Sequence, residues 1–190
     1  SDLIKINSTK VDNDKIKISF YGAGNYATAT LIPLMKDSGK VSFNGLVTAT
    51  GMSAQSVAKK FDFSYCASNY KEILNDKNDV VAITTRHDTH SKAICDALAA
   101  NKNVYVEKPL ALSVSELEDI HLAYTDNAKS QIMVGFNRRF APSTNEIIQH
   151  FESVKSPLVI NIRVNAGFIP TDHWTQDAQE GGGRMIGEGC

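Results

Sequence analysis

The sequence predicts an α/β fold in which a parallel β-sheet flanked by helices is followed by the start of an α+β domain. Short apolar strand patterns alternate with helical patterns about every 20–30 residues, as in right-handed βαβ units. Near Ser156-Pro157 the pattern changes. From there "LVINIRVNAG" alternates with period two, which is typical of a half-solvated strand in a different, antiparallel sheet.

The alternation becomes regular from Lys15 onward. Six strands are predicted in the first sheet, at 16–24 (including the turn that ends the strand), 41–50, 63–68, 79–85, 103–106 and 131–136. Five helices are predicted between them, at 25–39, 52–61, 69–76, 89–102 and 113–129. The division that follows is a linker or junction at 1–14, the sheet domain at 15–142 and the beginning of a second domain at 143–190.

Two of these helices carry local signals. Pro33 is expected to kink the middle of the first helix, because its ring removes an N–H donor and crowds the preceding turn. The last helix begins with two possible capping boxes, Ser113 with Glu116 and Ser115 with Glu118.

The composition limits the possible partners. A net charge of -1 without a Lys/Arg cluster argues against nucleic acid and against an anionic membrane surface. No apolar segment approaches the roughly 18 residues of a membrane span, and the polar start lacks a signal-peptide core. The three cysteines are scattered without metal-ligand spacing, so we expect no metal site and a reducing, cytoplasmic setting.

The first strand–helix turn carries the pattern G-x-G-x-x-A at Gly22, Gly24 and Ala27. In a dinucleotide-binding turn the first glycine permits the tight bend and the second lets the backbone approach a pyrophosphate. The small third residue lets helix pack on strand. This position in a βαβ series favours a Rossmann-type domain, although a glycine turn that only packs well remains the alternative.

The tip of the second strand leaves the choice between NAD and NADP open. An acidic residue is expected there to hold the ribose 2′-hydroxyl, about 20 positions after the glycines. The tip instead reads Val47-Thr48-Ala49-Thr50-Gly51, without a carboxylate or an arginine. Thr50 could offer a hydroxyl to the cofactor.

Two later strand tips carry candidate chemistry. The fourth strand ends in "TTRHDTH", with Thr85, Arg86, His87 and His90, and the fifth ends in Glu107-Lys108-Pro109. Lys108 could stabilise an alkoxide as hydride leaves, and Glu107 could pair with it or bind the nicotinamide ribose or amide. Pro109 fixes the direction of its tip and could take the cis isomer. A solvated strand end and surface or capping histidines are the alternatives.

Together these motifs resemble the Gfo/Idh/MocA oxidoreductases. The resemblance covers "GAGNYA", the Thr85-to-His90 segment, "VYVEKPLALS", "MVGFNRRFAP" and "EGGGRMIGEGC". It is strongest to the Gfo/Idh/MocA half of bi-domain oxidoreductases, in which a zinc-type alcohol dehydrogenase module comes first. It implies hydride transfer between NAD or NADP and a hydroxyl of a sugar, inositol or nucleotide sugar.

The resemblance also implies roles for individual residues. Lys108 would be the catalytic lysine and Glu107 a cofactor contact. The candidate cofactor-binding residues are Gly22, Gly24, Asn25, Tyr26, Ala27, Thr50, Thr85, Arg86, His87, His90, Glu107, Lys108, Asn137 and Arg138. The candidate substrate residues are Arg139, His173, Trp174 and Glu188.

Three departures from the family pattern bear on activity. Arg86-His87 stands where the family usually has Pro-Asn, and Gly187 stands at the usual aspartate, with Glu188 one residue out of register. The family histidine would fall at the position after Cys190. We therefore expect a cofactor-binding fragment, truncated in the second domain, that turns over poorly, with a homo-oligomer formed through the C-terminal sheet. The alternatives are a non-catalytic NAD(P)-binding sensor and, more weakly, a methyltransferase.

Overall fold

The computed structural model describes residues 3–6, 14–48, 51–165 and 167–189, with the backbone alone at 51–53. Its seven strands are β1 Ile4–Lys5, β2 Ile16–Tyr21, β3 Val41–Val47, β4 Tyr65–Ala67, β5 Val80–Ile83, β6 Asn103–Val106 and β7 Ile132–Val134. They form one sheet in the order β1-β4-β3-β2-β5-β6-β7. Every pairing is parallel except that of β1 with β4. The prediction of a Rossmann-type parallel sheet is confirmed.

The helices are α1 Ile32–Asp37, α2 Gly51–Phe61, α3 Lys71–Asn75, α4 His90–Ala99, α5 Val114–Asp126, α6 Pro142–Phe151 and α7 Gly183–Gly189. The first five cover both faces of the sheet. On one face, Ile32 of α1 and Phe61 of α2 pack in a core with Phe20 of β2. On the other, Ile94 of α4 and Ile120 of α5 pack in a second core with strand residues. Each such fully buried side chain contributes about 1.5–3 kcal/mol, and the two cores together hold the glycine turn and strand tips in place.

The first helix accommodates its proline through a local change of winding rather than a mid-helix kink. A π-helical segment, Ala27–Leu31, runs directly into α1, and the Ile32 amide bonds to the Ala27 carbonyl. Pro33 then lies in the first turn of α1. Because Pro33 has no N–H to donate and its ring crowds the preceding turn, the change of winding just before it accommodates the proline within a continuous helix.

The start of α5 carries the N-cap bond of one of the two predicted capping boxes, while the return bond from the glutamate goes to the residue before the N-cap. Ser113 is the N-cap, and its hydroxyl accepts a hydrogen bond from the Glu116 amide at 3.2 Å. The Glu116 carboxylate accepts from the Leu112 amide at 2.6 Å. This fixes the chain directly after the Glu107-Lys108-Pro109 tip.

Part of the segment predicted to be a linker belongs to the sheet. Ile4 lies opposite Cys66 and Lys5 opposite Tyr65 in an antiparallel pair. The Ile6 amide continues the contact by donating to the Ser64 carbonyl at 2.9 Å. This strand was not predicted, because two residues are too few to show a periodic pattern.

The prediction of an antiparallel strand in "LVINIRVNAG" is wrong for the described part of that segment. Residues 157–165 take no strand structure, and the side chains of Val159 and Ile162 are 92% and 84% exposed. A strand needs a neighbour for its backbone N–H and C=O groups, and the described chain offers none beside these residues. The predicted domain limits stay a prediction.

Candidate active site

A cleft lies at the point where the strand order of the sheet reverses, between β2 and β5. Ligands of open parallel sheets bind at such a point, because the loops that follow the two strands part there. The cleft has a volume of about 760 Å³. The predicted site residues that line it are Gly22, Gly24, Asn25, Tyr26, Ala27, Thr85, Arg86, His87, Glu107, Lys108, Asn137 and Trp174.

Gly22 lets the turn after β2 lie against the turn after β5. Its φ of 105° is a conformation that side-chain-bearing residues rarely adopt. A Cβ at this position would lie 2.6 Å from the Thr84 carbonyl carbon. The Thr84 hydroxyl also donates to the Gly22 carbonyl at 3.0 Å. Gly22 is therefore required for the fold, whether or not a ligand binds.

Gly24 has a different environment. A Cβ here would meet only the Thr84 carbonyl oxygen, at 3.9 Å, which is an ordinary contact. The helix that begins at Asn25 follows directly, and its first amides are available to an anion. The free space above Gly24 thus lies beside the positive end of a helix. Ala27, 2% exposed, packs beneath the turn as the motif requires.

Tyr26 and Asn137 join two walls of the cleft. The Asn137 amide donates to the Tyr26 hydroxyl at 2.7 Å, which links the glycine turn to the short helical turn after β7. This contact places Asn137 at the site although it is 111 residues farther along the chain.

Glu107 directly follows β6, and its side chain is held by that of Tyr105, which lies two residues earlier on the same face. The Tyr105 hydroxyl donates to Glu107 Oε1 at 2.5 Å. Gly135 leaves room for this pair, because a Cβ there would lie 2.7 Å from the Tyr105 hydroxyl and 3.0 Å from Glu107 Oε1. Burial raises the pKa of Glu107 above its usual value, while the Tyr105 hydrogen bond and the Lys108 charge oppose that rise.

Lys108 reaches across the cleft toward the C-terminal segment, residues 167–189. Its Nζ donates a hydrogen bond to the Gly187 carbonyl in α7. The Lys108–Pro109 peptide bond is cis. Gly187 is buried, and a Cβ at that position would lie 3.8 Å from His87 Cε1. Gly187, which stands where the family usually has an aspartate, therefore faces Lys108 and His87, but it offers them only backbone atoms.

Arg86 and His87 contact the C-terminal segment. Arg86 pairs with Glu180, and its guanidinium lies 5.5 Å from the centre of the Trp174 ring. His87 Nδ1 hydrogen-bonds the Gly181 carbonyl at 2.9 Å. Burial lowers the pKa of His87, the Gly181 carbonyl opposes this, and the nearby Lys108 adds to it.

His90 lies behind the cleft rather than in its wall. It is fully buried, with Nδ1 2.7 Å from the Pro109 carbonyl and Nε2 3.3 Å from the Thr85 carbonyl. It thus ties the β5 tip to the β6 tip. Burial lowers the pKa of His90, although the two carbonyl contacts partly offset that effect. His90 therefore supports the cleft from behind, and its role as a cofactor contact stays a prediction.

Other predicted residues lie away from the cleft lining. Arg138 and Arg139 are exposed in the turn after β7, and the Arg139 guanidinium lies over Phe140 at 4.8 Å. His173 caps the short helical turn that carries Trp174. Glu188 is half-buried in α7 outside the lining, and Thr50 falls outside the described residues.

The sequence analysis missed some lining residues. They are Tyr21, Ala23, Thr48, Thr84, Asp88 and Thr89. All of these lie in or beside a motif that the sequence did reveal, so a rule that takes every residue at the tips of β2, β3 and β5 would have found them. Thr48 follows β3 directly.

The family is decided by the match of its sequence model. The model of the Gfo/Idh/MocA oxidoreductases, described as an oxidoreductase family with an NAD-binding Rossmann fold, matches residues 16–136. The chain belongs to the Gfo/Idh/MocA oxidoreductase family. Among its relatives, the inositol 2-dehydrogenase of Salmonella paratyphi B is 32% identical over 107 residues, which is 54% of this chain and 32% of that enzyme.

Solved structures of oxidoreductases share the fold. An NAD-binding oxidoreductase from Klebsiella pneumoniae has a TM-score of 0.61 at 26% identity, over 73% of this chain and 40% of that one. A 3-ketoreductase from Actinomadura kijaniata, solved with NADP and TDP-benzene, has a TM-score of 0.76 at 17% identity, over 92% of this chain and 54% of that one. This chain spans about a third of the length of the Salmonella relative. No helix in the described ranges is long and apolar enough to cross a membrane.

Proposed function

We propose that this chain forms the cofactor-binding part of a dehydrogenase, which binds NAD or NADP in the cleft and acts on a hydroxyl of a sugar, inositol or nucleotide sugar. The observation that carries the proposal is the joining of two features in one cavity. These are the glycine turn after β2 and the Glu107-Lys108 tip after β6. The name of the Salmonella relative, an inositol 2-dehydrogenase, supports a polyol-type substrate.

The residues present fit a dinucleotide. The open space at Gly24, next to the first amides of the helix, suits a pyrophosphate, because these donors and the helix dipole favour negative charge. Glu107 is held by Tyr105 at the far side of the cleft, where a carboxylate can accept hydrogen bonds from a ribose or a carboxamide. When bound, NAD or NADP supplies the hydride acceptor.

Lys108 is proposed to orient the substrate hydroxyl and to stabilise negative charge on its oxygen. A charged hydrogen bond in a site with little water is worth more than in solution. The Lys108 ammonium already points at the α7 backbone, which marks the place where a substrate oxygen would compete with the Gly187 carbonyl. A cytoplasmic location and a homo-oligomer formed through the C-terminal segment complete the proposal.

The test compares wild type with Lys108→Met, a substitution that keeps the length of the side chain and removes its charge. Cofactor affinity is measured on this chain by calorimetry. Turnover is measured at 340 nm with inositols and hexoses, in a polypeptide that carries this chain together with a substrate domain. The proposal expects the dissociation constant of the cofactor to change less than about threefold and turnover to fall at least about 100-fold. Unchanged turnover would contradict it.

A non-catalytic NAD(P)-binding sensor is the second candidate. It is favoured by the Gly187 carbonyl, a neutral backbone group that contacts Lys108 at the position of the family aspartate. The same Lys108→Met comparison separates the two candidates. A sensor keeps its cofactor response and never shows turnover in either form, whereas the enzyme loses a measurable rate.

A further inference from the structure

We propose that Arg86, His87 and Glu180 form a clamp that fixes Trp174 as a wall of the cleft beside Lys108, so that the indole covers the reacting end of the bound cofactor and substrate. The inference rests on the proposed function for what the cleft binds. It concerns Trp174, the single tryptophan of the chain, which lines the cleft together with Lys108. Arg86, His87 and Glu180 are positioning residues in this proposal.

The side of Trp174 next to the β5 tip is held by one aromatic contact and one cationic contact. The His87 ring meets the indole edge-on, with 4.9 Å between ring centres. The Arg86 guanidinium lies 5.5 Å from the same ring and pairs with Glu180. An exposed ion pair alone contributes little to stability. The position of Trp174 therefore depends on the Arg86–Glu180 pair together with other contacts.

Two hydrogen bonds to backbone carbonyls provide these other contacts. The Asp88 amide donates to the Glu180 carbonyl at 3.1 Å, and His87 Nδ1 bonds the Gly181 carbonyl at 2.9 Å. The β5 tip and the turn at Glu180-Gly181 are therefore joined by two bonds that do not need the ion pair. Together with the Arg86–Glu180 pair, they connect the C-terminal segment to the Rossmann sheet at the mouth of the cleft.

The turn itself packs directly on the backbone of the tryptophan. A Cβ at Gly181 would lie 2.6 Å from the Trp174 carbonyl oxygen and 2.5 Å from Thr175 Cα. Gly181 is thus needed for close approach and not for an unusual backbone angle. Any side chain there must push the turn and Trp174 apart, which gives a way to loosen the clamp without changing a charge.

The test uses the fluorescence of Trp174 in wild type and in the Glu180→Gln and Gly181→Ala variants. Asp62→Asn, which breaks the separate Lys36–Asp62 pair of 2.6 Å, is the matched control. In the absence of ligand, both clamp variants are expected to shift the emission to the red and to raise acrylamide quenching about twofold, since the indole loses packing. Asp62→Asn should match wild type.

NADH and NADPH are then titrated, and energy transfer from Trp174 to the reduced nicotinamide is followed. The clamp variants are expected to bind about fivefold more weakly and to transfer less energy at saturation. If wild type shows transfer that the clamp variants do not alter, the clamp is refuted while the proposed function stands. If neither nucleotide binds wild type but the variants expose Trp174, the proposed function fails and the clamp remains. Unaltered emission and quenching in both variants overturn the inference.

Discussion

Tyr105 donates a hydrogen bond of 2.5 Å to the carboxylate of Glu107, two residues farther along β6 and on the same face of the strand. Glu107 lines the cleft, and Tyr105 packs against the core that lies under the glycine turn. The bond therefore connects the position of a cleft carboxylate to the interior of the domain. Gly135, directly after β7, makes the room that this pair occupies.

Tyr105→Phe removes this hydrogen bond while keeping the ring. We expect the pKa of Glu107 to rise further, because the Tyr105 bond is the main effect that opposes the burial of the carboxyl group. Cofactor affinity should fall about tenfold at pH 7, in line with about 1.5 kcal/mol for a hydrogen bond to a charged group. The loss should be larger at lower pH. Tyr124→Phe, on the exposed face of α5, is the control, and equal affinity in all three proteins would contradict the prediction.

Gly22→Ala and Gly24→Ala separate the demands of folding from those of the ligand. Gly22→Ala should destabilise the fold by about 2 kcal/mol or more, because it forces a positive φ and a clash with Thr84. This corresponds to a melting temperature lower by roughly 4–8 °C. Calorimetric melting curves of the two variants and wild type provide the measurement.

Gly24→Ala should leave stability within about 0.5 kcal/mol of wild type, since a Cβ there meets only an ordinary contact. Its cofactor affinity should nonetheless fall at least about tenfold, because the methyl group occupies the space that the pyrophosphate needs. If Gly24→Ala proved as destabilising as Gly22→Ala, the two glycines would not have the separate roles assigned to them.

The buried His90 should make stability depend on pH. Because its folded-state pKa lies below the ordinary 6.5, the unfolded chain takes up the proton first as pH falls. Stability is therefore full above pH 6.5 and declines below it, by at most about 1.4 kcal/mol per pH unit for one proton. His87, whose pKa is also lowered and which lies beside His90 and Asp88, adds to the decline.

Urea unfolding between pH 7.5 and 5.5 measures this decline. In His90→Gln the slope should be shallower, although the variant is less stable at pH 7.5 through loss of the hydrogen bond that the neutral ring donates to one of the two carbonyls, the nearer being that of Pro109. His150→Gln, on the exposed surface of α6, serves as the control. A slope that is the same in wild type and His90→Gln would show that His90 does not lower the stability in acid.

Much of the fold was predictable because it depends on local patterns. The apolar run before Thr84 and the glycine turn after Tyr21 each indicate a parallel strand and its end, and the sheet brings both ends to one cleft. The same reasoning placed Glu107 and Lys108 there. These features need only periodicity, turn chemistry and the rule that ligands bind at the carboxyl ends of parallel strands.

The parts that were not predictable depend on contacts between distant residues. Nothing in the sequence pairs Tyr26 with Asn137, or Arg86 with Glu180, since charges and hydroxyls carry no periodic signal. The unpaired state of residues 157–165 was missed for a related reason. Alternation of apolar and polar residues shows that a strand could form, but a strand forms only where another supplies hydrogen bonds.

Isothermal titration of this chain with NADH and NADPH tests whether the cleft between β2 and β5 holds the cofactor. One saturable site per chain is expected for at least one of the two nucleotides, with binding weakened at least about tenfold in Gly24→Ala. No saturable binding of either nucleotide at millimolar concentration, or equal binding by wild type and Gly24→Ala, would contradict the assignment of the cleft between β2 and β5 as the cofactor site.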